Sequence, residues 1–149
     1  MPFVKVYIHL VWSTKNREPF LATKEMREKV WHHIRENAKL KGIFIDFLNG
    51  HKEHCHCLVS LSIDQTIEKI IQLIKGECSF WINKQNEFIP ELAGRKFEWQ
   101  DEYFAVSVSE SQVDKVRNYI KNQEEHHKHK TFQQEYDELI KKFGFQKYK

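Results

Sequence analysis

With 149 residues, of which 40% are hydrophobic, 13% aromatic and 30% charged, the chain has the composition of one folded domain, residues 1–149, rather than of a disordered tail. No apolar run approaches membrane-spanning length, and the start MPFVKVYIHLVW alternates and lacks a small-residue cleavage site, which argues against a membrane partner and a secretion signal and for a cytoplasmic location. A net charge of +3 permits a nucleic-acid partner without demanding one, and the spacing of Cys55, Cys57 and Cys78 suits neither a disulfide framework nor a four-cysteine zinc site, so reduced thiols are expected.

The first segment alternates. Val4, Val6, Ile8, Leu10 and Trp12 fall on one face and Phe3, Lys5, Tyr7, His9 and Val11 on the other, which predicts a strand with one wholly apolar face. After STKNREPFL, with Thr23 as N-cap, Met26, Val30, Ile34 and Ala38 recur every four residues up to Gly42 and predict a helix. Ile43–Leu48 and a run from about His54 to Leu61 flank Asn49-Gly50 and read as a hairpin. Ser62 and Gln65 have capping-box spacing ahead of a second helix with the stripe Ile63, Ile67, Ile70, Ile71, Ile74, Cys78 and Trp81; Lys69 and Lys75 lie away from it.

A loop holding Pro90 and Gly94 leads to a fourth strand over 103–108. Ser111, with Asp114 three residues on, is placed to cap a third helix containing Val113, Val116 and Ile120, and a last helix runs from Thr131 towards Gly144. The order β-α-β-β-α-β, then helices, predicts an α+β ferredoxin-like split βαβ sandwich: an antiparallel sheet with two helices on one face, plus C-terminal helices. Its second face is left for an active site or a partner.

On the second strand of the hairpin, His54, His56, Leu58 and Ser60 point one way and Cys55, Cys57, Val59 and Leu61 the other. A mixed Cys/His zinc site over 54–57 would draw ligands from opposite faces, and no CxxC spacing is present, so the cysteines read as small hydrophobes beneath the helices. Two imidazoles at i and i+2 can hold one cation or can form a hydrogen-bonded surface pair; the residues alone leave both open. In RNYIKNQEEHH, Tyr119 and Gln123 share a helical face. If that helix crosses the open sheet face, Gln123 offers an amide oxygen with Tyr119 one turn away; otherwise Tyr119 packs beside Val116 and Gln123 is solvated.

Four segments in order, IHLVWSTKNR (8–17), HCHCLVS (54–60), WQDEYFAVSVSES (99–111) and YIKNQ (119–123), together resemble the IS200/IS605-like transposases, the single-tyrosine (Y1) branch of the HUH endonucleases. HxH alone is common; joined to a later YxxxQ and the intervening WQ-Y-SVS stretch it is specific. The resemblance implies a ferredoxin-like fold and a bacterial or archaeal transposase that cuts and rejoins single-stranded DNA. It implies a divalent cation, Mg²⁺ or Mn²⁺, on His54, His56 and Gln123, Tyr119 as the nucleophile forming a 5′-phosphotyrosine, and no use of ATP. It also implies homodimers in which one subunit's tyrosine helix can complete the other's site, and recognition of DNA hairpins at element ends, with a short guide sequence pairing with the cleavage site. Cys55 departs from the motif, where a bulkier aliphatic residue is usual, but on the face away from the metal.

Two imidazoles and an amide are neutral, so a cation they hold stays electropositive towards phosphate, and Mn²⁺ accepts imidazole more readily than Mg²⁺. A free phenol has a pKa of about 10 and needs help in losing its proton; the sequence identifies no base, and metal proximity or a nearby lysine such as Lys115 or Lys121 are the alternatives. Lys15, Asn16 and Arg17, in the turn 13–17, are the candidate phosphate contacts, with a solvated loop as the plainer reading. His9, with Tyr7 and Lys5, is placed either along a DNA groove or as a satisfied, partly buried histidine, and His126, His127 and His129 read as solvated surface. Two other functions stay in view: a domesticated relative acting on chromosomal palindromic repeats, and a non-catalytic nucleic-acid-binding module, although no RNP-type aromatic signature is present.

Overall fold

In the computed structural model, which describes residues 2–85, 92 and 94–145, the alternating N-terminal segment forms β1 (Val6–Ser13). Val4 and Val6 are 45% and 39% exposed, so the buried apolar face begins at Ile8 rather than at Val4. Helix α1 (Lys24–Leu40) starts where the Thr23 hydroxyl accepts the Met26 N–H at 3.1 Å, and it buries the predicted Met26, Val30, Ile34 and Ala38. Strands β2 (Phe44–Gly50) and β3 (His54–Leu61) form the hairpin. With β4 (Phe104–Val108) they complete a four-stranded antiparallel sheet in the order β2-β3-β1-β4, the split βαβ arrangement.

Helix α2 (Ile67–Lys84) is capped one residue before its first apolar position by Thr66, whose hydroxyl accepts the Lys69 N–H at 3.1 Å. The expected cap at Ser62 is corrected. Gln65 accepts the Ser62 N–H at 3.0 Å, closing a separate turn ahead of the helix, and this leaves Ile63 68% exposed and outside the stripe. Ser111 is likewise no cap: it sits inside a 3₁₀ turn, Glu110–Gln112, that leads into α3 (Val113–Lys121). Pro90 lies outside the described residues.

The predicted continuous helix through Gln123 is broken at Asn122. Asn49, at the end of β2, donates its amide to the carbonyls of Ile120 and Lys121 at 3.0 and 3.1 Å, and so supplies partners that a helix end otherwise lacks. A short α4 (Gln123–His126) follows, then α5 (Phe132–Phe143), which has the Thr131/Gln134 capping box and ends at Gly144 with φ 64°. Only glycine takes that conformation at little cost.

Helices α1 and α2 cover one sheet face. Ile8, Leu10, Trp12, Cys55, Cys57 and Val59 meet Val30, Ile34, Ile70, Ile74 and Cys78 there, each large aliphatic contributing about 1.5–3 kcal/mol on burial. The second face is covered by α3, whose Val113 and Ile120 cluster with Leu58, and by α5, whose Phe132 clusters with Val11 and Phe104. A bulge between Ile45 and Phe47 leaves Asp46 unpaired in the ladder, and its carboxylate takes the Arg117 guanidinium in two bonds, 2.7 and 2.6 Å, tying α3 to the sheet edge. Among the described residues no helix is long and apolar enough to cross a membrane.

Candidate active site

Strand alternation sorts the 54–57 segment as the sequence requires. Cys55 and Cys57 join the α1/α2 core, where burial pushes the Cys57 thiol up to about 12 and raises Cys55 and Cys78 as well. His54 and His56, both 0% exposed, face the other layer. Gly50 permits the tight entry into β3: a Cβ there would stand 2.1 Å from the His54 carbonyl oxygen.

His54 and His56 meet residues from β1, α4 and α5 and from the turn before β3. Nε2 of His54 lies 2.9 Å from Oε1 of Gln123 and 3.3 Å from Oε1 of Glu135, and Nε2 of His56 lies 3.1 Å from that same Glu135 oxygen. Behind them, Nδ1 of His54 bonds Glu53 at 2.7 Å, and Nδ1 of His56 bonds Nε2 of His9 at 2.9 Å. His9 and His56 are diagonal neighbours across the β1–β3 pair, where long side chains can meet. His127, with its side chain 3% exposed, bonds the Lys130 carbonyl through Nδ1 at 2.7 Å and turns Nε2 to Gln123 Oε1 at 3.0 Å.

These contacts fix which atoms point inward. The Glu53 carboxylate and the Lys130 carbonyl only accept, so Nδ1 of His54 and of His127 carries a proton, and each ring turns its Nε2 to the centre. Gln123 donates its amide to Glu135 Oε2 at 3.2 Å and to the Tyr119 carbonyl at 3.4 Å, so its oxygen faces the histidines. Lone pairs gathered in this way repel unless a proton or a cation lies among them. Imidazole nitrogens with an amide and a carboxylate oxygen suit a divalent ion that accepts mixed N/O ligands, so the donor set fits the expected Mn²⁺ or Mg²⁺.

The electrostatics agree. For Glu135, burial would raise the pKa, but hydrogen bonds from His127, His54 and His56 overcome it and hold the carboxylate ionised. Burial likewise opposes a charge on His54, yet its bonds to Glu135 and Glu53 raise its pKa. His56 and His9 lack that net support, and burial lowers them to about 4 and about 3.

The Tyr119 hydroxyl donates to Glu135 Oε2, and its ring lies 5.5 Å from His56, centroid to centroid, within the same chain. Burial and then the Glu135 charge raise the phenol's pKa. The break at Asn122 thus leaves Tyr119 and Gln123 on one side, as the spacing predicted. It also corrects the reading of the histidine cluster after the helix: His127 is buried in the site, and Nε2 of His126 is 3.3 Å from Glu135 Oε2 without hydrogen-bond geometry, while only His129, 79% exposed, is plain surface.

Of the candidate phosphate contacts, Lys15 is exposed and paired with Glu98 at 3.4 Å, and Asn16 is exposed. Arg17 is turned onto α5, bonding Gln133 and stacking 5.1 Å over both Phe132 and Tyr136. Lys115 lines a groove of about 430 Å³ together with Tyr119, Glu135, Ser109, Gln112 and Lys142. Glu135 was not identified from sequence, although one signal existed: it falls with Phe132, Tyr136 and Leu139 on the apolar side of α5, where a lone carboxylate is out of place.

The segments 8–17, 54–60 and 99–111 are brought side by side, β1 pairing with β3 and β4 and Thr14 bridging to Trp99, with 119–123 laid across them. The antiparallel split βαβ sheet with its helices is a fold shared with solved transposase structures. Residues 3–123 match the family described as "Transposase IS200 like", and the chain belongs to that family of transposases. It is 24% identical over 118 residues to the ISDra2 transposase TnpA of Deinococcus radiodurans, covering 77% of this chain and 81% of that protein. Its fold is similar to a Deinococcus radiodurans crystal structure assigned as a transposase (TM-score 0.64, 22% identity, 82% of this chain and 93% of that one). It is also similar to a REP-associated tyrosine transposase bound to a REP hairpin (TM-score 0.60, 15% identity, 85% and 72%).

Proposed function

We propose that the chain, acting as one domain over residues 1–149, is a divalent-cation-dependent transposase that cleaves and rejoins single-stranded DNA through a phosphotyrosine at Tyr119. The observation that carries this is the position of the Tyr119 hydroxyl against the cluster of His54, His56, Gln123 and Glu135. His54, His56 and Gln123 would hold the cation, whose charge would offset that on the phosphate and on the departing oxygen. Tyr119 attacks phosphorus through its phenolic oxygen and gives up its proton to water; the bond to the 3′ oxygen breaks, the 5′ phosphate stays on tyrosine, and the freed 3′ oxygen takes a proton from water to become a hydroxyl. Attack by another 3′-hydroxyl reverses the step, so no ATP is consumed. Lys115 and Lys142 in the groove wall are placed to hold backbone phosphates, with Lys15 and Asn16 further along the strand.

The substrate is single-stranded DNA flanked by hairpins. That a neighbouring fold was solved with a REP hairpin supports this, and it favours a second reading in which this copy is domesticated and acts on chromosomal palindromic repeats. A homodimer in which Tyr119 serves the partner's site is part of the family expectation; the single chain already holds Tyr119 beside its own histidines. The test uses labelled single-stranded oligonucleotides from the flanking DNA with Mn²⁺ or Mg²⁺, run on denaturing gels. A protein–DNA adduct is expected, lost in Tyr119→Phe; an adduct that persists in that variant removes Tyr119 from the reaction. Subterminal hairpins at both ends of the reading frame mark a mobile element, and scattered chromosomal palindromes mark the domesticated copy.

A further inference from the structure

We infer that Glu135 is itself a ligand of the divalent cation, so that the centre takes two imidazoles, one amide oxygen and one carboxylate oxygen rather than three neutral groups. The inference rests on the proposed cation site at His54, His56 and Gln123 and adds a residue from α5, twelve positions beyond the last of them.

Three observations carry it. First, Oε1 of Glu135 stands 3.1 Å from Nε2 of His56 and 3.3 Å from Nε2 of His54, so its lone pairs share the point to which the two imidazole lone pairs are directed. Second, the carboxylate is 1% exposed on the apolar side of α5, between Phe132 and Leu139, where an ionised group is costly unless a cation or several donors face it. Third, α5 is fixed against the sheet: the Phe132 ring stacks 4.1 Å from His54 and Phe132 packs with Val11 and Phe104, so one layer sets both the carboxylate and the imidazoles.

The assignment changes the chemistry of the centre. Four protein ligands leave two positions of an octahedral ion for a phosphate oxygen and a water. One carboxylate lowers the charge of the loaded site from +2 to +1, still attractive to phosphate, and a second oxygen donor brings the harder Mg²⁺ closer to Mn²⁺ in preference. Oε2 of the same carboxylate holds the Tyr119 hydroxyl, so one side chain bridges ion and nucleophile, and Glu135 is then also a positioning residue for Tyr119.

The experiment measures binding of Mn²⁺ alone to the full chain, freed of metal, by calorimetry and by loss of the free-ion paramagnetic resonance signal. Glu135→Gln keeps the shape and the Tyr119 and Gln123 contacts within reach while removing the charge; Glu135→Ala removes both oxygens; His56→Ala reports on the underlying site. Binding is expected to weaken at least about tenfold in Glu135→Gln and further in Glu135→Ala, and to be lost in His56→Ala. Wild-type Mn²⁺ affinity in a folded Glu135→Gln, judged by circular dichroism and melting, overturns the inference even if Glu135→Ala does not fold. Undiminished binding in His56→Ala overturns instead the site on which it rests. For the positioning role, adduct formation at saturating Mn²⁺ is expected to stay impaired in Glu135→Gln and to recover in part in Glu135→Asp; full activity of Glu135→Gln at saturating metal removes that role.

Discussion

Gly50→Ala is expected to damage the site without touching any group that does chemistry. The new Cβ would lie 2.1 Å from the His54 carbonyl oxygen, 3.0 Å from the Cys55 Cα and 3.1 Å from the His54 carbonyl carbon, all of them backbone atoms. Real Cβ atoms do not come closer than about 3.0 Å, so β3 must move by about 0.9 Å at the residue that carries His54. Such overpacking costs about 1–3 kcal/mol, or about 3–10 °C in melting temperature for a chain of this length. A displacement of about 1 Å at a reacting centre can cost about a hundredfold in rate. The assay pairs thermal melts of the metal-free protein with Mn²⁺ isotherms and adduct formation on single-stranded DNA. Gly76→Ala is the control: it lies inside α2, a Cβ there meets nothing within 4 Å, and relief of glycine's backbone entropy should stabilise the helix by about 0.5–1 kcal/mol. If Gly50→Ala melts and cleaves like the wild type, the packing argument for the hairpin is wrong.

Tyr119→Phe should abolish the covalent adduct while leaving Mn²⁺ affinity and single-strand retention in gel shifts near wild type; loss of binding as well would make Tyr119 structural. The three thiols should be unreactive towards Ellman's reagent at pH 8 in the folded protein and all react in denaturant, because each is buried and burial raises its pKa. One thiol reacting at the rate of free cysteine before unfolding would contradict the assigned strand faces. Folded His9 takes a proton at about 3 against 6.5 for an exposed histidine, so between those values the unfolded chain binds more protons. Its contribution is therefore complete above pH 6.5 and drains as pH falls towards 3, and His9→Gln should flatten the acid side of a melting-temperature profile measured without metal. Arg117→Ala should free α3 from the bulged edge at Asp46 and slow adduct formation more than it weakens Mn²⁺ binding. Equal loss of both would place Arg117 in the ion's support instead.

Period-two alternation made β1 and β3 legible, because a half-buried strand writes its two faces directly into the chain, and it placed His54 and His56 on the face opposite Cys55 and Cys57. Gln123 and Tyr119 were legible through helical spacing, even though Asn49 breaks the helix between them. The caps of α2 and α3 were misplaced because Ser62 and Ser111 sit in local turns that satisfy themselves, and such turns look like helix starts in sequence. His9 was named in sequence, with a satisfied buried histidine as one of its two readings, but Glu135 and His127 were hidden for another reason. Their positions come from docking α5 and the end of α4 against β3 across long sequence separations, and no local pattern encodes where a helix lands on a sheet.

Because core and site draw on alternate residues of the same strand, β3 carries a built-in check on its own alignment. A slip of one position against β1 and β2 would send His54 and His56 into the dry layer under α1 and α2 and turn the thiols towards Tyr119. Each imidazole stranded there without a partner costs about 1–3 kcal/mol, so a misthreaded chain is unstable as well as inactive. Drift within this strand is then tolerated only in steps of two residues, and stability screening alone would discard misregistered variants before any activity was measured.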